Sequence, residues 1–98
     1  MAEIETESRR TMTIINELGL HARAAAQLVQ IANRHACDLF VRRDDLEVNG
    51  KSIMGVLMLA ASQGSNIEMR AVGADAADRE ALLDAIESLV RNRFGEGR

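Results

Sequence analysis

Apolar and polar residues alternate along four short segments of the chain. Alternation is typical of half-buried strands, because successive side chains of a strand point to opposite faces of the sheet. In the first segment, Met12 and Ile14 share the face that we expect to be buried. Strands are predicted at residues 11–15, 38–43, 46–48 and 66–72, and Asp44-Asp45 predicts a tight turn between the second and the third.

Two other segments carry apolar residues at intervals of three and four, which is the spacing of one helix face, and a third segment is short, apolar and Met-rich. They predict helices at residues 22–34, 52–59 and 76–93. Ser52 and Asp75 stand at the starts of the last two and are suitable N-cap residues. The predicted buried stripes are Ala25, Leu28, Val29 and Ala32 in the first helix and Leu82, Ile86, Leu89 and Val90 in the last.

The predicted elements follow the order strand, helix, strand, strand, short helix, strand, helix. A hairpin beside amphipathic helices favours an α+β fold, with one antiparallel sheet that helices cover on one face. A chain of 98 residues suits one small domain. Residues 1–8 are mostly polar and acidic and predict a flexible tail, so the folded domain is expected at residues 9–98.

Composition and charge weigh against several classes of function. The net charge is −3, and the chain has two Phe but no Trp or Tyr. Nucleic-acid binders usually carry a basic face and aromatic platforms, so no nucleic-acid partner is expected. The longest apolar run, residues 56–61, is too short to cross a bilayer, and the acidic start does not resemble a signal peptide. The single cysteine, Cys37, has no partner for an internal disulfide, which predicts a cytoplasmic protein.

His21 is the candidate for chemistry because it directly precedes the first predicted helix. The start of a helix presents free backbone N–H groups and the positive end of the dipole, which together attract anions. An imidazole there can accept a phosphoryl group, and Arg23 can bind the same oxygens. A histidine near a helix start also serves commonly as a cap or a surface residue, and the residues by themselves leave both interpretations open.

Other chemistry has less support in the sequence. A metal site built from His21, His35 and Cys37 would lack a second closely spaced pair of ligands, so no metal is expected. His35 and Cys37 are better explained as a helix end and a small buried residue. A closed pocket for a cofactor has little room in so small a domain, so no cofactor is expected either.

Two motifs resemble those of a known family. Residues 18–25, LGLHARAA, resemble the active-site motif of the HPr family, the histidine phosphocarriers of the bacterial phosphotransferase system. Residues 49–56, NGKSIMGV, resemble the regulatory-serine segment of the same family and lie at the usual separation. The similarity extends from about residue 10 to about residue 94. It implies an open-faced β-sandwich of four antiparallel strands and three helices, in either an HPr or a nitrogen-type carrier.

The resemblance implies a role for each motif residue. His21 would accept a phosphoryl group on Nδ1 from enzyme I, whose donor is phosphoenolpyruvate, and pass it to a histidine of a IIA-type domain. Arg23 would neutralise phosphate charge. Such a protein is a stoichiometric carrier rather than an enzyme with turnover of its own. Ala24 replaces the proline that is usual in the family, and because alanine is a good helix former we expect the site to survive.

The second motif implies regulation and docking. Ser52 would be a target for a serine kinase/phosphorylase, although it also serves as an N-cap. The Met-rich second helix and the start of the first would dock partner proteins, and a monomer is expected. The predicted docking residues are Ala22, Ala24, Ile53, Met54, Leu57 and Met58. The alternative function is a regulatory adaptor that binds targets according to its Ser52 and His21 phosphorylation state.

Overall fold

Four antiparallel strands form one sheet in the computed structural model, which describes residues 6–98. The strands are β1 (Glu7–Thr13), β2 (Asp38–Arg43), β3 (Leu46–Asn49) and β4 (Asn66–Val72). Their order across the sheet is β1-β4-β2-β3. Because the last strand lies between the first two, the sheet joins segments that are distant in the chain, with Met12 opposite Ile67 and Leu39 opposite Ala71.

Three helices accompany the sheet: α1 (Ala22–Ala32), α2 (Ile53–Met58) and α3 (Ala76–Arg91). Both predicted N-caps form. The Asp75 carboxylate accepts from the Ala77 N–H at 3.0 Å, and the Ser52 hydroxyl accepts from the Gly55 N–H at 3.1 Å. A single turn of 3-10 helix, Arg93–Gly95, follows α3. The predicted α+β class, with four antiparallel strands and three helices, is confirmed.

The core lies between the sheet and the helices and is almost wholly aliphatic. The predicted strand faces are buried, as are the α1 stripe and most of the α3 stripe. Leu83 is buried in α3 although the spacing did not indicate it, while Leu89 is only partly buried. Phe94 is the one aromatic residue within the core of the described chain, and it closes the end near the last helix.

Several predicted boundaries differ from the structure, and two of them are instructive. Glu7 and Ser8 were assigned to the flexible tail, but they belong to β1 and pair with Val72 and Ala71. The backbone groups of these two residues form hydrogen bonds with β4, and such bonds do not depend on the polarity of the side chains. The first five residues of that tail lie outside the described part of the chain. The last helix ends at Arg91 rather than residue 93, because Arg93 and Phe94 adopt positive φ angles of 54° and 56°.

A pair of hydrogen bonds joins the segment before β2 to the start of α3. His35 Nδ1 lies 2.8 Å from Asp78 Oδ1, and the Cys37 N–H donates to Asp78 Oδ2 at 3.0 Å. These hydrogen bonds, led by that of His35, lower the pKa of Asp78 to about 2. Burial raises the pKa of the Cys37 thiol to about 11, so this residue is an inert core group, as the sequence indicated.

We expect Asp78→Asn to lower the melting temperature by an amount that depends on pH. A carboxylate whose folded pKa of about 2 lies below its usual 3.8 stabilises the fold above that usual value. The stabilisation is lost as pH falls from there toward 2. Melting curves across this range should therefore show the wild type and the variant converging in acid. Asp45→Asn, in the exposed hairpin turn, is the control, and a gap for Asp78→Asn that stays constant with pH would contradict this account.

Candidate functional site

The loop before α1 is held tightly against the segment that follows α2. Gly19 has a φ of +67°, and a Cβ atom there would lie 2.5 Å from the Ala61 carbonyl oxygen. Only glycine fits such a position without displacing backbone. The Leu20 N–H donates to the same Ala61 oxygen at 2.9 Å, and the Leu20 side chain is buried. These contacts determine where the next residue, His21, stands.

His21 is the N-cap residue of α1, and its side chain does not cap the helix. Its backbone is extended, and its carbonyl accepts the first helical hydrogen bond from the Ala25 N–H at 2.9 Å. The first turn of α1 carries no acidic residue. The imidazole, 26% exposed, therefore lies outside the helix, beside a positive helix terminus that no carboxylate of its own first turn neutralises.

A residue from the other end of the chain completes the site. Glu96 Oε2 forms a hydrogen bond with His21 Nε2, and Glu96 Oε1 accepts from Asn16 Nδ2 at 3.0 Å. The hydrogen bonds from His21 and then Asn16 lower the pKa of Glu96 below its usual value. The sequence analysis missed both Glu96 and Asn16. His21 and Glu96 are 75 residues apart, and no local pattern links them.

The C-terminal segment, residues 95–98, reaches the site by reversing direction after α3. Buried Phe94 anchors the turn, and Gly95 has a φ of +78°. The Glu17 N–H then donates to a backbone oxygen of Arg98 at 3.0 Å, which holds the segment against the loop before α1. A cleft of about 520 Å³ lies between this segment and the residues Glu17, Leu18 and Arg23.

Arg23 lies at the rim of this cleft. Its side chain is 68% exposed, and its Nη2 atom is 4.0 Å from Glu96 Oε2, at the limit of an ion pair. An exposed guanidinium in so loose a contact can turn toward an anion at the start of α1 and bind it with two hydrogen bonds. The structure therefore brings His21 and Arg23 to the same place, as the motif implied.

The surface of α2 is largely apolar. Ile53, Met54 and Met58 are exposed, and Met54 is the most exposed of them at 72%. Leu57 is partly buried against the core, and α2 packs against α1. Leu18, which was not predicted, is also an exposed apolar side chain and lies in the loop before His21.

One predicted docking residue is wrong. The side chain of Ala24 is fully buried in the core, so it offers no surface to a partner. Ala22, two positions earlier in α1, is exposed. The difference follows from the helical period, because Ala24 falls on the same face as Leu28, which is also fully buried.

Two further features bear on the classes of site considered. Among residues 6–98, no group of three or more His, Cys, Asp or Glu side chains is arranged to hold a metal ion. The helices of this described part are all too short or too polar to cross a membrane.

Comparison with known proteins identifies the family. The family model described as "PTS HPr component phosphorylation site" matches residues 8–92. The chain belongs to the HPr family. The phosphocarrier protein HPr of Cupriavidus necator is 46% identical over 89 residues, covering 91% of this chain and 97% of the relative. The predicted family is thus confirmed, and so is its general function as a phosphocarrier protein of the phosphotransferase system.

Solved structures of the HPr family agree with the fold. HPr-C-His from Thermoanaerobacter tengcongensis superposes with a TM-score of 0.86 at 40% identity, covering 93% of this chain and 99% of that one. An HPr dimer from the same organism superposes with a TM-score of 0.71 at 38% identity, covering 98% and 100%. The HPr-like open-faced sandwich implied by the two motifs is therefore confirmed.

Proposed function

We propose that the chain carries a phosphoryl group on Nδ1 of His21, accepting it from enzyme I and passing it to a histidine of a IIA-type domain. The observation that supports this most directly is the position of His21. Its imidazole lies outside the helix at the start of α1, where no side chain caps the terminus. A transferred phosphoryl group would meet backbone N–H groups and the positive helix end there.

The transfer can be written with each bond accounted for. The lone pair of His21 Nδ1 attacks phosphorus, a P–N bond forms, and the bond from phosphorus to the donor breaks with its electron pair leaving on the donor. The three phosphoryl oxygens carry the charge throughout. Backbone N–H groups of α1 and the guanidinium of Arg23 would stabilise that charge, and the second transfer repeats the step with the acceptor histidine as nucleophile.

Ala24 supplies a backbone N–H where the family usually has proline. Its side chain packs fully within the core, and alanine suits the first turn of a helix. The additional donor points in the same direction as its neighbours at the helix start. This geometry supports a functional site despite the substitution.

The exposed apolar surface of α2, made by Ile53, Met54 and Met58, is the proposed docking surface for both partners. Flexible methionine side chains adapt to more than one protein surface. We propose Ser52, at the start of this helix, as the target of a serine kinase/phosphorylase. Its hydroxyl already caps α2 through the Gly55 N–H, so a phosphate there would place charge beside the apolar surface and weaken docking to enzyme I.

Met54→Ala is expected to weaken binding to enzyme I about tenfold while changing the melting temperature little. A side chain that is 72% exposed contributes little to the core, whereas an apolar anchor at an interface is worth about 1–2 kcal/mol. Calorimetric titration gives the affinity. Leu46→Ala is the matched control, since Leu46 is also an exposed apolar residue but lies in β3. A large loss of melting temperature with unchanged affinity would contradict the assignment.

The proposed function is tested with purified enzyme I and phosphoenolpyruvate. Mass spectrometry should show one acid-labile phosphoryl adduct on the wild-type chain, and fragmentation should locate it at His21. The adduct should then disappear when a IIA-type domain is added. Absence of any adduct would favour the adaptor function instead. Because we propose a cytoplasmic monomer, light scattering during gel filtration should give the mass of one chain.

A further inference from the structure

We propose that Glu96 is a positioning residue for His21. Its carboxylate, held by Asn16, accepts a hydrogen bond from His21 Nε2 and so leaves Nδ1 as the unprotonated nitrogen that attacks phosphorus. This inference rests on the proposed function and adds to it a residue beyond the family's matched segment, which ends at residue 92.

The Glu96 carboxylate determines which ring nitrogen of His21 carries the proton. A neutral imidazole has one N–H and one lone pair, and an ionised carboxylate can only accept. The ring proton must therefore lie on Nε2, which faces Glu96, and the lone pair on Nδ1. The low pKa of Glu96 keeps this carboxylate ionised at neutral pH.

Asn16 holds the carboxylate in place. This residue is fully buried, and its Nδ2 atom donates both to the Gly19 carbonyl oxygen at 2.9 Å and to Glu96 Oε1 at 3.0 Å. Both partners are acceptors, which determines the orientation of the amide, and Asn16 Oδ1 has no partner among residues 6–98. Asn16 thus ties Glu96 to the same loop that carries His21.

The location of Glu96 strengthens the interaction. Its side chain is only 8% exposed, so solvent and salt screen the hydrogen bond to His21 less than they would at an open surface. Three features bring the C-terminal segment here: the buried Phe94, the positive φ of Gly95, and the hydrogen bond from Glu17 to Arg98. Because these contacts hold Glu96 in place, its carboxylate is suited to orienting the His21 ring.

The same carboxylate suits the phosphorylated state. When Nδ1 forms its bond to phosphorus and Nε2 keeps its proton, the ring becomes cationic, and Glu96 stabilises that cation. When the phosphoryl group leaves, the electron pair of the P–N bond returns to Nδ1 and a neutral imidazole remains. No proton has to move in either transfer, because it stays on Nε2 beside Glu96.

The chain contains an internal control. His35 faces its carboxylate, Asp78, through Nδ1 rather than Nε2. By the same argument the neutral His35 carries its proton on Nδ1. The two histidines are therefore expected to adopt opposite tautomers, which ¹⁵N-labelled histidine and long-range ¹H–¹⁵N spectra at about pH 8 distinguish directly.

Glu96→Gln is the decisive variant. Asn16 Nδ2 would donate to the side-chain oxygen of the glutamine introduced at position 96. The NH₂ group of that glutamine would then face His21 Nε2 and force that nitrogen to accept. The proton would then move to Nδ1. We expect the tautomer of His21 to reverse and phosphorylation by enzyme I and phosphoenolpyruvate to slow by on the order of tenfold to a hundredfold. Glu96→Ala should remove the tautomer preference of His21 without reversing it, so phosphorylation of this variant should be slowed less.

The pH dependence of phosphoryl transfer distinguishes a role of Glu96 in positioning His21 from a role in stabilising the fold alone. Without the carboxylate, the phosphorylated ring loses its Nε2 proton at lower pH, so the alkaline decline of transfer to the IIA-type domain should move to lower pH in both variants. Asp78→Asn is the matched control: it should change the tautomer of His35 and leave His21 and its rate of phosphorylation unchanged. Melting curves report whether each variant is folded.

Two results would overturn the inference. One is an unchanged His21 tautomer in Glu96→Gln, and the other is a changed tautomer with an unchanged transfer rate and pH profile. A wild-type chain that enzyme I does not phosphorylate would instead overturn the proposed function. In that case the tautomer spectra would still decide whether Glu96 orients the ring.

Discussion

Replacing His21 with alanine is expected to abolish phosphorylation by enzyme I and phosphoenolpyruvate. The variant has no nucleophilic nitrogen at the start of α1, and the backbone N–H groups and Arg23 can stabilise a phosphoryl group only after some group has accepted it. Mass spectrometry should find no acid-labile adduct under conditions that phosphorylate the wild type completely.

The loss should be one of chemistry rather than of folding. The His21 side chain does not cap α1, so the variant loses mainly its hydrogen bond to Glu96 and should lose about 1–3 kcal/mol of stability. His35→Gln is the control, because the chain has two histidines and His35 interacts with Asp78 in a different region. An adduct on His21→Ala, or its loss in His35→Gln alone, would refute His21 as the acceptor.

Gly19→Ala is expected to cost about 2–4 kcal/mol of stability and to slow phosphorylation as well. The φ of +67° disfavours any residue with a Cβ. That Cβ would also lie 2.5 Å from the Ala61 carbonyl oxygen and 2.9 Å from the Ser62 Cα, both backbone atoms that must move. Urea unfolding gives the free energy, and because the loop leads directly to His21, its displacement should misplace the imidazole.

Gly64→Ala separates the cost of the positive φ angle from the cost of the contact with Ala61. Gly64 also has a positive φ, of +89°, but no atom lies within 4 Å of the Cβ that would be added. This variant should therefore lose only about 1 kcal/mol of stability, the cost of the backbone conformation, and should accept the phosphoryl group at the wild-type rate. Equal losses for the two variants would show that the contact with Ala61 is unimportant.

The regular elements were largely predictable because their signals are local. Alternation placed Leu39 and Val41 on the buried face of β2, and helical spacing placed Leu28 on the buried face of α1. The errors arose where a distant segment decides the outcome. Glu7 and Ser8 look like a tail by composition, yet they are in β1 because β4 supplies their hydrogen-bond partners.

The docking surface shows the same division. The apolar composition of α2 predicted that Ile53 and Met54 are partly exposed; both are exposed, and so is Met58. The helix is short and only one side of it can face the core, so this part was accessible from the sequence. Ala24 was misassigned because the whole start of α1 was expected to dock partners, whereas the helical period turns this position toward the core.

The sequence by itself determined which residue is the candidate for chemistry. His21 and Arg23 lie within three residues of each other at the start of a helix whose spacing and backbone polarity are local properties. Only the tertiary structure decided what faces the other side of the ring. Glu96 comes from the far end of the chain, and Asn16 is buried by the fold; neither position follows from a repeat or a motif, because the contacts depend on how the C-terminal segment turns back after α3.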